Sequence, residues 1–425
     1  MNIVKTYKKR IADGILKEKL DAKGAVLVEG AKWCGKTTTA SQLAQSILYL
    51  HDPANKEQYL KMASINPGLL LEGTTPRLID EWQLAPQLWD AVRFEIDQRD
   101  DFGQFILTGS STPVADMSTS HSGTGRISRM LMRPMTLWES EDSNGVIALS
   151  DLFEGQDDIA GMSSIDIIRL AYLICRGGWP KSLHPSERIS LIQAYDYYDS
   201  VIESDISLAD GVQRNPQRVK LLMRAYSRCI SSEAKISNIR SDMISNDSDS
   251  LSEDTIYSYI SALKRIFVIE NLPAWSPNLR SKTAIRLSDK RHFVDPSIAV
   301  ACLGIGPKDL INDLNTMGLL FESMCVRDLR VFAEAMDGTV YHYRDKSGLE
   351  CDAVIHLRNG SYALVEVKLG GNELDLAAKN LLALSNKIDT DRMKAPSFLM
   401  VLTNGSIAYR RKDGVFVVPA GCLKP

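Results

Sequence analysis

The sequence predicts an α/β fold in three parts, and three stretches carry that expectation. The first is Gly30-Ala31-Lys32-Trp33-Cys34-Gly35-Lys36-Thr37. This glycine-rich loop follows the apolar run Ala25 to Val28 and precedes Ala40, Leu43, Ala44 and Ile47 at helical spacing. The second is Pro76-Arg77-Leu78-Ile79-Asp80-Glu81, a short apolar strand ending in two acids. The third is Glu350 to Leu369, where apolar residues alternate on either side of Arg358-Asn359-Gly360.

Composition bounds the reading. At 425 residues the chain is long enough for about three domains. Its 44% hydrophobic and 24% charged residues are those of an ordinary soluble globular protein. A net charge of −3 gives no global basic field that would advertise nucleic acid. The seven cysteines form no C-x-x-C pair, which argues against zinc and disulfide frameworks and for reduced thiols in the cytoplasm. Met1 to Arg10 is polar and basic, unlike a signal peptide, and no apolar run reaches the ~20 residues of a membrane span.

The first part is expected over residues 1–142. Residues 6–20 read as an amphipathic helix ahead of the first strand. The glycine loop fits G-x-x-x-x-G-K-[ST], the Walker A pattern of P-loop nucleotide-binding proteins. Backbone N–H groups from Gly30 to Thr38 would then face phosphates, Lys36 would reach the β and γ phosphates, and Thr37 would ligate Mg²⁺. Ser46 to Leu50 reads as a second strand. The acids at the end of 76–81 suit a Walker B element, with Asp80 on Mg²⁺ and Glu81 polarising the attacking water. Phe105-Ile106-Leu107 reads as a strand ending in Thr108-Gly109-Ser110-Ser111. Ser110 is the first candidate to sense the γ-phosphate, and Thr108 the second. Arg126, after a Ser/Thr/Gly-rich loop at 118–125, is the candidate arginine finger.

The middle, 143–290, is mostly helical in pattern. Helices are expected at 165–173, 191–206 and 255–267, the last capped from a polar loop at 246–254. A strand-like run, Val268 to Leu272, comes next and completes a winged-helix pattern. Such a module binds DNA in some settings and protein in others. Only Lys264 and Arg265 supply cations on the candidate helix, so both readings stand.

The last part, 291–425, opens on a helix from Gly318 to about Ala335. The two strands after it test their own register. Ala353, Ile355 and Leu357 form one apolar face, and Ala363, Val365, Val367 and Leu369 another. A three-residue loop at 358–360, with Gly360 left-handed, brings these faces together and pairs Ala353 with Val365. The same register sets Asp352 opposite Glu366, with Lys368 on their face. Such carboxylates can hold Mg²⁺ or Mn²⁺ while the lysine orients water for phosphodiester hydrolysis. They can equally form a salt-bridged outer face of an ordinary hairpin.

Taken in order, these residues resemble a prokaryotic family that joins an AAA-type P-loop ATPase domain to a C-terminal PD-(D/E)XK, or restriction-endonuclease-like, domain. The markers are the Walker A loop, Leu78-Ile79-Asp80-Glu81-Trp82-Gln83, Ile106 to Ser111, Gly125-Arg126 and Gly177-Gly178-Trp179-Pro180. Further along are Phe293 to Pro296, Leu320-Phe321-Glu322, and Tyr343-Arg344-Asp345 with Glu350, Asp352, Glu366 and Lys368. The resemblance implies a nuclease-like site of Glu322, Asp352, Glu366 and Lys368. Cys351 stands where the superfamily's proline would be.

The resulting expectation is an ATP-binding, ATP-hydrolysing protein whose nuclease-like end cuts or binds DNA. The alternative is a nucleotide-switched regulator of DNA or of a protein partner, with a silent nuclease-like domain. A small-molecule kinase fits less well, because the acids of 80–81 lie on a separate strand and the C-terminal extension is long. A finger acting in trans would require a homo-oligomer.

Overall fold

The computed structural model describes residues 7–112, 123–244, 252–280 and 282–425. Residues 118–122 of the expected Ser/Thr/Gly loop and 246–251 of the expected capping loop lie outside those described. The chain forms two compact units. One takes Met1–Pro134, Glu203–Arg214 and Ile260–Val268; the other takes Met135–Ile202, Asn215–Tyr259 and Ile269–Pro425. Two stretches of the middle part thus join the first unit.

In the first unit, helix α1 (Ile11–Ala22) buries Ala12, Leu16 and Leu20 and leads into β1 (Ala25–Glu29). The glycine loop is next, then α2 (Lys36–Ser41) and β2 (Ser46–Tyr49). Helix α2 is shorter than its apolar spacing suggests. Ile47 fits both a helical and a strand pattern, and it lies in β2. Strand β3 (Arg77–Asp80), helix α3 (Leu88–Arg99), β4 (Phe105–Gly109) and β5 (Ile127–Leu131) complete a five-stranded sheet. Its order is β2-β3-β4-β1-β5, and every pairing is parallel. The inner strands read as continuous apolar runs because a parallel sheet is covered on both faces. Val26, Leu27, Ile106 and Leu107 are all fully buried. The order puts β4 between the strands that carry the glycine loop and Asp80. All three open their carboxyl ends on one edge of the sheet.

The second unit begins with short elements. Its helix α4 (Glu187–Ser200) is followed by a π-helical turn, Val201–Asp205, where a plain helix is expected, and from Glu203 that turn belongs to the first unit. Helix α5 (Ile236–Ile244) and helix α6 (Glu253–Arg265), whose residues from Ile260 on belong to the first unit, precede two antiparallel bridges, Ile269 with Phe293 and Leu272 with Lys290. The expected strand at 268–272 is present only as those isolated bridges. Helix α7 (Leu314–Ala335) starts four residues before its expected position, because Asp313 accepts a capping hydrogen bond from the Thr316 amide.

Strands β6 (Gly338–Arg344), β7 (Glu350–Leu357) and β8 (Tyr362–Lys368) come next as antiparallel neighbours. Helix α8 (Leu374–Lys387) precedes β9 (Phe398–Thr403), β10 (Ile407–Arg410) and β11 (Phe416–Pro419). The sheet order is Gly161–Met162, β10, β11, β9, β8, β7, β6. Ala353 pairs with Val365, and Gly360 has φ of +81°, so the register argued from the apolar faces is the one adopted. Ala377, Ala378, Leu381 and Leu384 of α8 pack into a core with Val354, Leu364 and Val401.

Asp295 ties this unit together. Fully buried, it accepts from the Gly178 amide, from the Ser297 amide and hydroxyl, and from Arg327 at 2.7 Å. Removing it leaves the buried Arg327 short of a counter-charge. Asp295→Ala is expected to destabilise the protein by about 3–5 kcal/mol. Asp375→Ala breaks an exposed pair with Arg411 and is expected to change stability by less than about 1 kcal/mol. Urea unfolding of the full chain, followed by far-ultraviolet circular dichroism, reads both.

Candidate functional site

The carboxyl edge of the first sheet gathers most of the residues singled out in the first part of the sequence. Gly30 ends β1 with φ of +151°, and a Cβ there would sit 2.2 Å from the Met132 carbonyl oxygen, so only glycine fits. Trp33 adopts the left-handed region at φ +66°, which costs an aromatic residue roughly 1–3 kcal/mol and persists only where neighbours enforce it. One such neighbour is Arg10. Its buried guanidinium donates to the Cys34 carbonyl and to the Arg133 carbonyl, both at 2.9 Å. Cys34 is itself buried, with Sγ 3.3 Å from the Met132 carbonyl. Lys32 pairs with Asp205, from the π-helical turn, at 2.6 Å.

Lys36 is buried, and its Nζ donates to the Gly30 and Ala31 carbonyls at 2.9 and 2.8 Å. The ammonium therefore already points back over the loop. Thr38 is exposed on the first turn of α2. Asp80, 2% exposed, ends β3. Its Oδ1 accepts from Thr37 Oγ1 at 2.7 Å and from Thr108 Oγ1 at 2.5 Å. His51 Nδ1 lies 3.5 Å from its Oδ2. Glu81 sits at φ +59° just past the strand, where its carboxylate accepts from Gln83 and, at 3.3 Å, from Ser110 Oγ. Hydroxyl and carboxylate oxygens at a strand end are the donor types Mg²⁺ prefers.

Arg126 does not join this group. Strand β5 runs parallel to β1, and Ala25 pairs with Ile127. Arg126 therefore sits at the amino edge of the sheet, a strand length, or roughly 13 Å, from the level of the loop. Its guanidinium binds Asp97 of α3 at 2.7 Å. The expectation rests on closeness in sequence to a Ser/Thr/Gly-rich loop, and strand direction overrides it within one chain.

The second unit holds a separate cluster. Asp352 and Glu366 face each other across β7 and β8, as their register requires, and both are buried rather than on an outer face. Lys368 Nζ reaches Glu366 Oε2 at 2.7 Å and Asp352 Oδ2 at 3.2 Å. The Val367 amide donates to that same Asp352 oxygen at 3.0 Å. Glu322, from α7, joins through Lys290, whose Nζ lies 2.9 Å from Glu322 Oε1 and 3.0 Å from Asp352 Oδ1. Glu366 Oε1 is buried with no hydrogen-bond partner.

Burial raises the Glu322 carboxyl to about 7 against the pull of Lys290. Burial and the neighbouring Asp352 push Glu366 up as well. Burial would raise Asp352 too, but Lys290 and Lys368 hold it below the ordinary carboxylate range. Among the described residues, no three His, Cys, Asp or Glu side chains form a ready-made metal cage. Nor, among them, is any helix long and apolar enough to cross a membrane.

Sequence reasoning missed Arg10, His51, Asp205 and Lys290. Each is far in sequence from the group it touches, and none lies in a pattern that announces it.

A parallel sheet with a glycine loop after one strand, an acid at the end of another and a third strand between them defines a P-loop ATPase-type domain. Comparison with known families agrees. A model described as an AAA domain matches residues 22–141. Two domains of unknown function, DUF8612 and DUF4143, match residues 168–309 and 317–423. Among solved structures, a Walker-type ATPase of Pyrococcus abyssi is similar at a TM-score of 0.43 and 14% identity, over 70% of this chain and 96% of that one. No curated protein matches in sequence.

The placement of Arg126 has a measurable consequence. Arg126→Ala is expected to leave phosphate release from ATP by dilute protein within about twofold of wild type, the mark of a group that contributes under about 0.4 kcal/mol to the barrier. A steady-state phosphate assay checks it.

Proposed function

We propose that the chain binds and hydrolyses ATP with Mg²⁺, and that this activity controls a C-terminal restriction-endonuclease-like domain directed at DNA. The observation that carries the first half is the convergence of Thr37 and Thr108 on Asp80. One hydroxyl comes from the helix after the glycine loop and the other from the strand between. In this reading Gly30, Ala31, Lys32, Trp33, Cys34, Gly35, Lys36, Thr37 and Thr38 cradle the phosphates. Mg²⁺, when bound, neutralises charge on the β and γ phosphates. Thr37 and Asp80 would hold it. Lys36 turns from the Gly30 and Ala31 carbonyls to the γ-phosphate. Glu81 orients and polarises the attacking water, and Ser110, already against Glu81, positions that carboxylate. A counter-charge in trans would come from a second copy of the chain.

We divide the chain functionally at 1–142, 143–290 and 291–425. The middle part, with α5, α6 and the bridged segments after them, serves as a winged-helix-like module for DNA or a protein partner. Seven free cysteines suit the cytoplasm.

A specific observation also favours metal-dependent cleavage by the C-terminal domain. Glu366 Oε1 is buried without a partner beside Asp352, and oxygens so placed suit Mg²⁺ or Mn²⁺. Lys368, which touches both acids, would orient water.

Lys36→Ala and Glu81→Gln are each expected to lower phosphate release at least about 100-fold, the usual loss of a group that acts on the transition state. Glu81→Gln should retain ATP binding. Unchanged turnover in both would refute the assignment. For the second domain, Lys368→Ala is expected to abolish nicking of supercoiled plasmid in Mn²⁺. Equal behaviour of variant and wild type would dismiss the nuclease reading and leave a silent, DNA- or protein-binding domain.

A further inference from the structure

The carboxylate cluster of the second unit contains a cation of its own. Lys290 is 4% exposed, and its backbone is fixed by reciprocal hydrogen bonds with Leu272, both at 2.9 Å. Its Nζ therefore enters from a segment outside the β7–β8 hairpin and does not depend on a flexible loop. There it takes Glu322 Oε1 and Asp352 Oδ1. The other Asp352 oxygen is already shared by Lys368 and the Val367 amide. Three carboxylates are thus met by two ammonium groups, and Glu366 Oε1 is buried without a hydrogen-bond partner.

These contacts restrict what a divalent ion would find. It could take Glu366 Oε1 freely, but it would have to win both Asp352 oxygens from lysines, and Glu322 is engaged elsewhere. Like charges close together in a site of low polarity repel strongly, so an ammonium within reach of the same oxygens opposes a second cation.

We propose that Lys290 is a resident cation that competes with divalent metal for Asp352 and withholds Glu322, and so sets the metal affinity of this cluster. The proposal rests on the reading of Asp352 and Glu366 as a metal pair. Neutral replacement of Lys290 frees two oxygens and leaves excess negative charge, which a metal then compensates. The buried charge lost from the variant is restored by the ion, so metal should also raise the variant's thermal midpoint more than that of wild type.

The test is a Mn²⁺ titration of the full chain, read by electron paramagnetic resonance of the free ion. Wild type is expected to show weak binding that Asp352→Asn removes. Lys290→Met is expected to bind Mn²⁺ at least tenfold more tightly, and Lys290→Arg to resemble wild type. If Lys290→Met does not fold, the double variant Lys290→Met/Glu322→Gln removes a carboxylate along with its cation. It should still bind more tightly than wild type, because Asp352 Oδ1 is released. Asp352-dependent binding in wild type with equal or weaker binding in the Lys290→Met chains overturns the role given to Lys290 and leaves the metal pair standing. No Asp352-dependent binding in any chain overturns the metal pair, and the proposal with it.

Discussion

Asp80 is almost wholly removed from water, and a carboxylate in that position must have its oxygens met. Thr37 and Thr108 both donate to the same oxygen. That shared acceptor links three pieces of chain: the turn after β1, the end of β3 and the end of β4. It can do so because the sheet is parallel and places β4 between β1 and β3. The glycine loop depends on the same edge. Arg10 and the Met132 carbonyl hold its left-handed turn from the sides, and Lys36 closes over it. Were β4 not the neighbour of β3, where Thr108 pairs with Asp80, Thr108 could not reach that carboxylate, and the acid would be buried with fewer donors.

The range of each interaction determines how much of this is legible in the sequence. The glycine loop is legible because its constraints are local: a close backbone approach at Gly30 and a helix start at Lys36. The β7–β8 register is legible because a slip of one residue would bury the wrong face. Arg126 lies apart from the loop of its own chain because nearness along the chain says nothing about which edge of a parallel sheet a strand begins on. The end of α2 is overrun because Ile47 satisfies two periodicities, and the choice falls to sheet formation. Arg10 and Lys290 are invisible for another reason. Each is a single cation whose partner is met only once the chain has folded. Neither residue type nor spacing separates them from the many surface cations in the sequence.

The π-helical turn at Val201–Asp205 belongs with these long-range effects. A π turn adds a residue to the helical repeat and rotates the residues beyond it. Asp205, at its end, meets Lys32 of the glycine loop at 2.6 Å. The contact sets a loop residue against an acid from a segment more than a hundred residues away in the chain.

The two acidic sites of the molecule are balanced in opposite ways. At Asp80 the donors are hydroxyls, neutral groups that can give up a proton contact and accept a cation without a new charge conflict. At Asp352 the partners are ammonium groups and an amide, and the charge is already nearly compensated within the fold. Burial enforces both arrangements, since a buried carboxylate whose oxygens meet no donor is costly. The choice of partner then determines what each site can admit. A hydroxyl-lined carboxylate at an open sheet edge is prepared for a metal–phosphate ligand. A lysine-lined carboxylate between two strands already has its charge met within the fold. The same burial thus gives the first acid neutral partners and the second charged ones, and each acid's charge is met by a different kind of donor.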